Sequence, residues 1–446
     1  MRARSDARGR HADAAAVGTH ARARGRRRRR AMAIDAGDTA FMIVSMALVN
    51  LMTPGLAFFY GGLVRSTNVL TIMLQNYVSM GLITVVWVAW GYSLCFGHSK
   101  NGVIGSARSH YFLEDMDNAN DYGGSVPELV FAGFQGMFAV IAPSLMTGAF
   151  ADRVRFVPYV IFILVWVHLV YFPWAHWVWG NGWVARQGVK DFAGGIVVHT
   201  TAGFSALATV FALPHRKKLE GEQFDTNPHN IPFVALGTGL LWFGWFGFNG
   251  GSALAANGDA ALAAMNSEIS ASAALFCWLL LEWKMTGKPT LVGACVGAIA
   301  GLATITPAAA YVKPWAALVI GCLCVPWCYA CVELTHKYSL DDALDVWAVH
   351  GMGGLFGTLC IGIFANSDMT GGAFEAGGAL FGKQLLAVVG CAVYSFVIGY
   401  VTIKAIEKVM PVVPGDDERK AGLDISMHGG KAYNEDSNSK RGSQNV

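Results

Sequence analysis

Long apolar segments separated by short polar connections dominate the sequence. A helix needs about 20 apolar residues to cross the hydrocarbon core of a bilayer, and eleven segments meet that length. The predicted spans cover residues 39–64, 69–97, 127–151, 156–178, 191–214, 231–255, 261–283, 289–310, 314–333, 346–366 and 379–409. The hydrophobic pattern therefore predicts an all-α integral membrane protein with eleven transmembrane helices.

The composition agrees with a chain that is surrounded by lipid. Hydrophobic residues make up 54% of the 446 positions and charged residues 14%, whereas soluble domains are about 25% charged. Eleven of the 33 lysine and arginine residues precede position 31. Residues 1–35 are thus an Arg-rich segment without an apolar core of its own, and we expect disorder there. It is a targeting segment, a lipid- or nucleic-acid-binding arm, or an incorrectly assigned start, since Met32 directly precedes the first span.

The remaining chain divides into a membrane domain, residues 36–410, and a polar tail, residues 411–446. An odd number of spans places the two termini on opposite sides of the membrane. The short connections on one side carry nine basic residues, and those on the other side carry five. Because basic loops remain cytoplasmic, we expect an outside N-terminus, a cytoplasmic C-terminus and residence in the cell membrane. The arginines of the head oppose this orientation, which adds to the doubt that residues 1–31 belong to the mature protein.

Two histidines stand out because they lie within predicted spans. His199 follows Asp191 in span 5, and His350 follows Asp345 in span 10. An ionisable side chain in hydrocarbon is costly unless it has a partner or lines a cavity, so both are functional candidates. A histidine can also simply join helices through a hydrogen bond. Spans 1–5 and 6–10 would form two halves of opposite orientation, and this inverted repeat predicts that the two histidines face each other near the membrane midplane.

Two imidazoles in contact share one N–H···N bond and keep a free donor or acceptor at each outer edge. Two charged imidazoles would repel each other, so the pair suits a small neutral solute or a moving proton better than a bound cation. The aspartates have a different interpretation. Asp191 lies more than two helical turns from His199 and is expected to cap the start of its helix. Asp345 is expected to do the same for span 10.

Aromatic residues cluster near the predicted outer ends of other spans. Span 3 contains Gln135 and Phe138, span 4 ends near Trp179, and span 6 contains Phe248 followed by Ser252. Aromatic faces attract compact cations by roughly 0.5–2 kcal/mol, and a serine adds a hydroxyl acceptor. These residues could form a recruitment site, although a tryptophan at this depth is also typical of an interfacial anchor.

No other chemistry is indicated by the sequence. Cys324, Cys328 and Cys331 share one helical face, but they lie inside a span and free cysteine is a common buried apolar residue. We therefore expect no metal, no cofactor and no disulfide. The spacing required for a catalytic triad is missing, so an enzyme is not expected either.

Four sequence runs carry a resemblance to a known family. They begin at Asn50 (NLMTPGLAFFYGG), Asp191 (DFAGGIVVH), Gly244 (GWFGFNGGS) and Asp345 (DVWAVHG). These runs resemble the ammonium transporter family (Amt/Mep/Rh), and the likeness extends in order from residue 36 to about residue 434. The resemblance implies an eleven-span fold with an inverted five-plus-five repeat, assembled as a homotrimer with one pore in each subunit.

The resemblance also implies roles for individual residues. Trp179, Phe138 and Ser252 would form the outer ammonium site, with Gln135 beside them. Phe138 and Phe248 would be the gate, and His199 with His350 the twin-histidine dyad. Asp191 would lie beneath the recruitment site.

Trp179 is similar to the aromatic residue of the Amt branch, which the Rh branch generally lacks. The run from Gly422 to Tyr433 (GLDISMHGGKAY) resembles the Amt cytoplasmic tail, which couples subunits and contacts PII-type nitrogen regulators. Asp424, His428 and Gly429 lie within that run, and Met427 stands where the family commonly has an acidic residue. We expect no nucleic-acid partner.

The function expected from these residues is ammonium uptake. Moving an intact cation from water into an apolar pore costs several kcal/mol of desolvation free energy. The attraction of two aromatic rings for the cation is smaller than this cost. The ion should therefore lose its proton near the phenylalanines and pass the dyad as ammonia, while the proton travels separately. A passive ammonia channel of the Rh type and an ammonium sensor that signals through the tail remain the alternatives.

Overall fold

The structure, a computed structural model, describes residues 33–99, 101–114, 116, 122, 124–216, 227–365 and 378–433. Within those ranges, eleven helices are long and apolar enough to cross a membrane, so the prediction of an all-α chain with eleven spans is confirmed. Their bounds are α1 Ala36–Leu63, α2 Val69–Phe96, α3 Glu128–Phe150, α4 Phe156–Arg186, α5 Gly195–Ala212, α6 Ile231–Gly250, α7 Gly258–Thr286, α8 Leu291–Ala308, α9 Pro314–Lys337, α10 Trp347–Phe364 and α11 Ala379–Val409. The predicted disorder of the Arg-rich head falls on residues 1–32, outside the described residues.

Successive spans run in opposite directions through the molecule. We call the surface at which α1 begins the upper face, and the opposite surface, at which α11 ends, the lower face. Two short helices follow on the lower face, α12 (Asp416–Ala421) and α13 (Leu423–His428). Span 5 starts later than the hydropathy pattern suggested, at Gly195 instead of residue 191, because residues 191–194 form the cap that precedes the helix.

Five of the described spans contain π-helical turns, and three of these turns hold candidate residues. These three turns cover Gly195–Thr200 in α5, Phe246–Gly250 in α6 and Trp347–Gly351 in α10, and they contain His199, Phe248 and His350. A π turn inserts one extra residue and displaces the side chains around it, which is why such turns are frequent at functional sites.

Glycines allow α5 and α10 to approach each other at the centre of the molecule. A Cβ atom on Gly203 would lie 2.2 Å from the Cα atom of Gly351, and one on Gly354 would lie 2.7 Å from the Cβ atom of His199. Only glycine fits at such contacts, and small residues permit close helix packing in lipid. The close approach places the two histidine-bearing turns against each other.

The starts of these two helices are fixed by carboxylates, but only one was assigned correctly from the sequence. Asp191 accepts hydrogen bonds from four backbone amides at the start of α5. At α10 the acceptor is Asp342, whose Oδ2 lies 2.8 Å from the amide nitrogen of Trp347. The expectation that Asp345 caps α10 was therefore wrong. Asp345 has a left-handed backbone (φ 54°), and its neighbour three residues earlier takes the capping position.

Candidate conduction pore

The two span histidines lie side by side in the interior. Their Nδ1 atoms are 3.3 Å apart, and their rings are nearly parallel, with centroids 5.3 Å apart. His199 is 1% exposed and His350 is 3% exposed. If one Nδ1 donates, the other accepts and carries its own proton on Nε2. The neutral pair thus presents one donor and one acceptor at its outer edges.

A small chamber surrounds the pair. Its volume is about 10 Å³, and apart from the imidazoles its lining is apolar, including Ile141, Val198 and Leu241. A cavity of this size holds about one water-sized molecule. Trp245 stacks on His199 with a centroid distance of 5.7 Å, and its indole N–H donates to Thr306. Trp245 was not predicted as a pore residue, because no sequence signal distinguishes a tryptophan in a pore wall from one that packs between spans.

Two phenylalanine rings close the chamber from above. Phe138 and Phe248 have centroids 4.2 Å apart with an interplanar angle of 31°. Both side chains are 1% exposed, so the rings leave no open passage between them. Trp179 meets Phe138 edge to face at 5.8 Å, which continues the aromatic column toward the upper face.

A polar vestibule of about 370 Å³ lies above the rings. Phe138, Trp179, Ser252, Gln135 and Asp191 all contribute to its lining, so the structure brings together every residue that the resemblance assigned to the outer site. The Trp179 side chain is held by a bond from Nε1 to the carbonyl oxygen of Asp191 (2.9 Å), and it is therefore a vestibule residue. Gln135 Oε1 is buried and has no hydrogen-bond partner among the residues that the structure describes, so it can accept a bond. The other polar lining residues were not predicted from the sequence; they are Tyr122, Asn181, Lys190 and Tyr311.

Asp191 lies at the base of this vestibule, where its carboxylate is fully engaged. Oδ1 accepts from Gly194 and Gly195, both at 2.8 Å, and Oδ2 accepts from Ile196 at 2.8 Å and Val197 at 3.1 Å. Burial raises the pKa of Asp191, and the four amides oppose that shift. Four charge-assisted bonds at the positive end of a helix are a structural anchor.

A second vestibule of about 190 Å³ reaches the dyad from the lower face. His350 and Val349 lie at its inner end, and Tyr60 and Asp345 line its walls. Burial raises the pKa of Asp345 to about 7, with a further contribution from Asp342, while Arg216 acts in the opposite direction. Asp345 is thus a titratable group next to the dyad on this side.

Alternating charges surround the lower vestibule. Arg216 bonds to Asp341 at 2.7 Å and lies 3.8 Å from Asp152, and Asp152 lies 3.6 Å from Arg65. The buried Arg153 lies 3.6 Å from Asp341. Paired charges tolerate burial far better than single ones, so this network can line a passage without a large desolvation cost. It was not predicted, because its members come from four separate segments of the sequence.

The tail segment packs on the lower face. Asp424 is 1% exposed and accepts bonds from the amides of Leu70 and Thr71 and from the Thr71 hydroxyl, at 2.8–3.0 Å. It therefore caps the start of α2 from more than 350 positions away. Tyr433 bonds to His229 at 2.8 Å.

The other tail residues that the resemblance singled out also lie at this contact. Gly422 has φ 87°, and a Cβ atom there would lie 2.6 Å from Thr67. His428 packs edge to face on Phe156, and Gly429 ends α13 in a left-handed conformation.

A multi-pass helical bundle with a narrow, aromatic-gated pore between two polar vestibules defines a membrane transport protein for a small solute. The sequence identifies the family of transport proteins to which the chain belongs. The chain matches the Ammonium Transporter Family over residues 40–433, and it belongs to that family. Members of the family are transport proteins and not enzymes.

Relatives and solved structures agree with this assignment. The chain is 42% identical to an ammonium transporter of Bacillus subtilis over 402 residues, which cover 89% of this chain and 98% of the relative. It is 40% identical to ammonium transporter Amt1 of Archaeoglobus fulgidus, with 89% and 99% covered. The crystal structure of Candida albicans Mep2 superimposes with a TM-score of 0.79 at 33% identity, covering 86% of this chain and 88% of that one. A structure described as a sensor Amt protein gives a TM-score of 0.80 at 30% identity, with 88% and 98% covered.

Proposed function

We propose that this chain takes up ammonium electrogenically as a transporter of the Amt branch. NH4+ binds in the upper vestibule and loses its proton near Phe138 and Phe248. Ammonia passes His199 and His350, and the proton crosses separately along the pair. The observation that carries this proposal is the hydrogen-bonded dyad inside a chamber of about 10 Å³ with otherwise apolar walls.

Recruitment rests on the groups that line the upper vestibule. The faces of Trp179 and Phe138 attract a compact cation by roughly 0.5–2 kcal/mol. The unpaired Gln135 Oε1 can accept one N–H, and Ser252, whose hydroxyl donates to the carbonyl of Phe248 at 2.8 Å, keeps acceptor capacity for another. The ion would be held by acceptors and rings and not by the carboxylate of Asp191, whose oxygens are already engaged.

Deprotonation follows from the size of the chamber. A chamber of about 10 Å³ leaves no room for a hydration shell, and removing an ion from water costs several kcal/mol even after relaxation of the protein. Ammonia has no such charge to desolvate and can bond to the imidazoles. K+ is similar in size to NH4+ but has no proton to release, so it would remain in the vestibule.

The proton that NH4+ releases near Phe138 and Phe248 passes to a chain of water molecules, which delivers it to the dyad. A pair of imidazoles can receive a proton at one outer nitrogen and release one at the other. His350 borders the lower vestibule, where Asp345 is the next titratable side chain. We propose that the proton leaves toward the lower face along this route.

Orientation and assembly are part of the same proposal. The upper face would be outside the cell and the tail cytoplasmic, as the distribution of basic residues favours. An inverted repeat is supported by one numerical match: Asp191 precedes His199 by eight residues, and Asp342 precedes His350 by eight. The subunits would form a homotrimer, and the tail docked on the lower face would contact a PII-type regulator.

Solid-supported membrane measurements on purified protein in proteoliposomes test the transport mechanism. An ammonium jump should give a transient current that an equal potassium jump does not give. The double change His199→Leu and His350→Leu should abolish it, whereas His168→Leu, at a half-buried span histidine away from the pore, should not. Internal pH changes without any current would replace this proposal with passive ammonia conduction. Ammonium binding without current or pH change would favour a sensor.

A further inference from the structure

A lysine, Lys190, lines the upper vestibule, where the proposed substrate is a cation. Among the described residues of that lining, only Lys190 and Asp191 belong to the residue types that are charged at neutral pH. Both oxygens of Asp191 already accept backbone amides at the start of α5, and the positive end of the helix offsets the carboxylate charge. The electrostatic field in the vestibule therefore depends mainly on the lysine.

The backbone of Lys190 is held at the vestibule wall by α11. Its amide N–H donates to Gln384 Oε1 at 2.8 Å, and its carbonyl oxygen accepts from Gln384 Nε2 at 2.7 Å. Gln384 is fully buried, so these two bonds fix the point from which the lysine side chain extends. The flanking residues Val189 and Asp191 are buried, whereas Lys190 is half-buried. Lys190 is thus the residue of this segment that remains accessible at the vestibule.

The Lys190 ammonium group forms no ion pair and no hydrogen bond with any residue that the structure describes. The basic residues at the lower vestibule differ, since Arg216 bonds to Asp341 at 2.7 Å. The opposite charges of an ion pair largely cancel at a distance, whereas a single ammonium group repels other cations. The two vestibules therefore present different electrostatic environments to an entering cation.

The size of the upper vestibule determines how strong this repulsion is. A cavity of about 370 Å³ is roughly 9 Å across, and repulsion between unit charges at that separation weakens binding roughly 2- to 20-fold for effective dielectric constants from about 80 to about 20. The repulsion energy doubles for a cation with two charges, so binding of a dication is weakened by the square of this factor, roughly 4- to 400-fold.

We infer that Lys190 sets the cation affinity of the upper vestibule and excludes cations that carry more than one positive charge. This inference rests on the proposed function and deepens it, because it assigns the selection among cations at the site where NH4+ would bind. Divalent metal ions and the dications of diamines would be rejected before they reach the phenylalanine gate. NH4+ would still bind, with an affinity lowered only by the smaller factor.

Binding of Tl+ to the purified full-length protein tests this inference without requiring transport. Tl+ is a monovalent cation close to NH4+ and K+ in size, and thallium NMR titration reports its binding directly. Lys190→Gln should bind Tl+ roughly 2- to 20-fold more tightly than the wild type, whereas Lys190→Arg, which keeps the charge, should resemble the wild type. The matched control is Lys383→Gln, which removes an exposed lysine that does not line the vestibule and should leave the affinity unchanged.

The dependence on salt gives the sign of the effect. When a bulky organic salt is raised from about 0.01 M to about 0.15 M, the Debye length falls from about 30 Å to about 8 Å. The wild type should then bind Tl+ more tightly, because the repulsion by Lys190 is screened, whereas Lys190→Gln should not. The dication of putrescine should compete with Tl+ for Lys190→Gln at concentrations that have no effect on the wild type.

Equal Tl+ affinities of the wild type and Lys190→Gln would overturn the inference, as would undetectable binding to both or equal competition by putrescine. Ammonium currents from the same samples separate this inference from the proposed function. A Tl+ difference in the absence of any wild-type ammonium current refutes the transport function alone. An ammonium current together with equal Tl+ affinities refutes the role of Lys190 alone.

Discussion

Replacing Asp191 with asparagine is expected to loosen the start of α5. The carboxylate accepts four backbone N–H groups, two on each oxygen. An asparagine keeps one oxygen, and its NH2 group faces two amide donors that it cannot satisfy. Hydrogen bonds to a charged group contribute roughly 1.5–3 kcal/mol each, so the loss of two predicts about 3–6 kcal/mol of local destabilisation.

Hydrogen–deuterium exchange of the amides of residues 194–197 measures this effect directly. Local opening that becomes easier by 3 kcal/mol or more accelerates exchange by about a hundredfold or more. Asp345→Asn is the matched control, because it removes a half-buried carboxyl near the other histidine without removing a cap, and α5 should then exchange as before. If Asp191→Asn left exchange at 194–197 unchanged but abolished the ammonium current, the carboxylate would act on the substrate or proton and the capping argument would be refuted.

Three further changes have distinct outcomes. Phe248→Ala should admit potassium, because Phe138 alone cannot close the chamber; a potassium jump that still gives no current would refute the gate. Wild-type transport should rise as lower-face pH increases through 7, because burial raises the pKa of Asp345 to about 7 and only the ionised form accepts a proton. Asp345→Asn should flatten that response, and an unchanged profile would contradict it. Asp424→Ala removes three hydrogen bonds and should speed tryptic cleavage within residues 411–433; unchanged cleavage would contradict tail docking.

The spans and the two histidines were predictable because both follow from the free-energy cost of placing polar groups in lipid. Twenty apolar residues have few stable arrangements other than a spanning helix, and a histidine within them is conspicuous. The cap on α10 was also within reach, since an Asp at the same offset of eight residues precedes each histidine. The choice of Asp345 relied on nearness to the span, and nearness does not fix which carboxylate meets the first amides.

Other parts of the site could not be read from the sequence. Trp245 differs from several neighbouring aromatic residues only in which ring it stacks on, and stacking depends on the packing of α5 against α6. The ion pairs of Arg216 with Asp152 and Asp341 join segments that are distant in the chain. These charges come together only when the chain folds, so no local sequence pattern predicts the ion pairs.

The small chamber at the dyad limits how many molecules can occupy the centre of the pore at once. With room for about one small molecule, the centre of the pore contains no bulk phase, and molecules must cross it one at a time. Flux through such a pore saturates when the chamber is always occupied. On the proposed function, the ammonium current should therefore level off with rising ammonium concentration, at the rate at which a single occupant leaves the chamber.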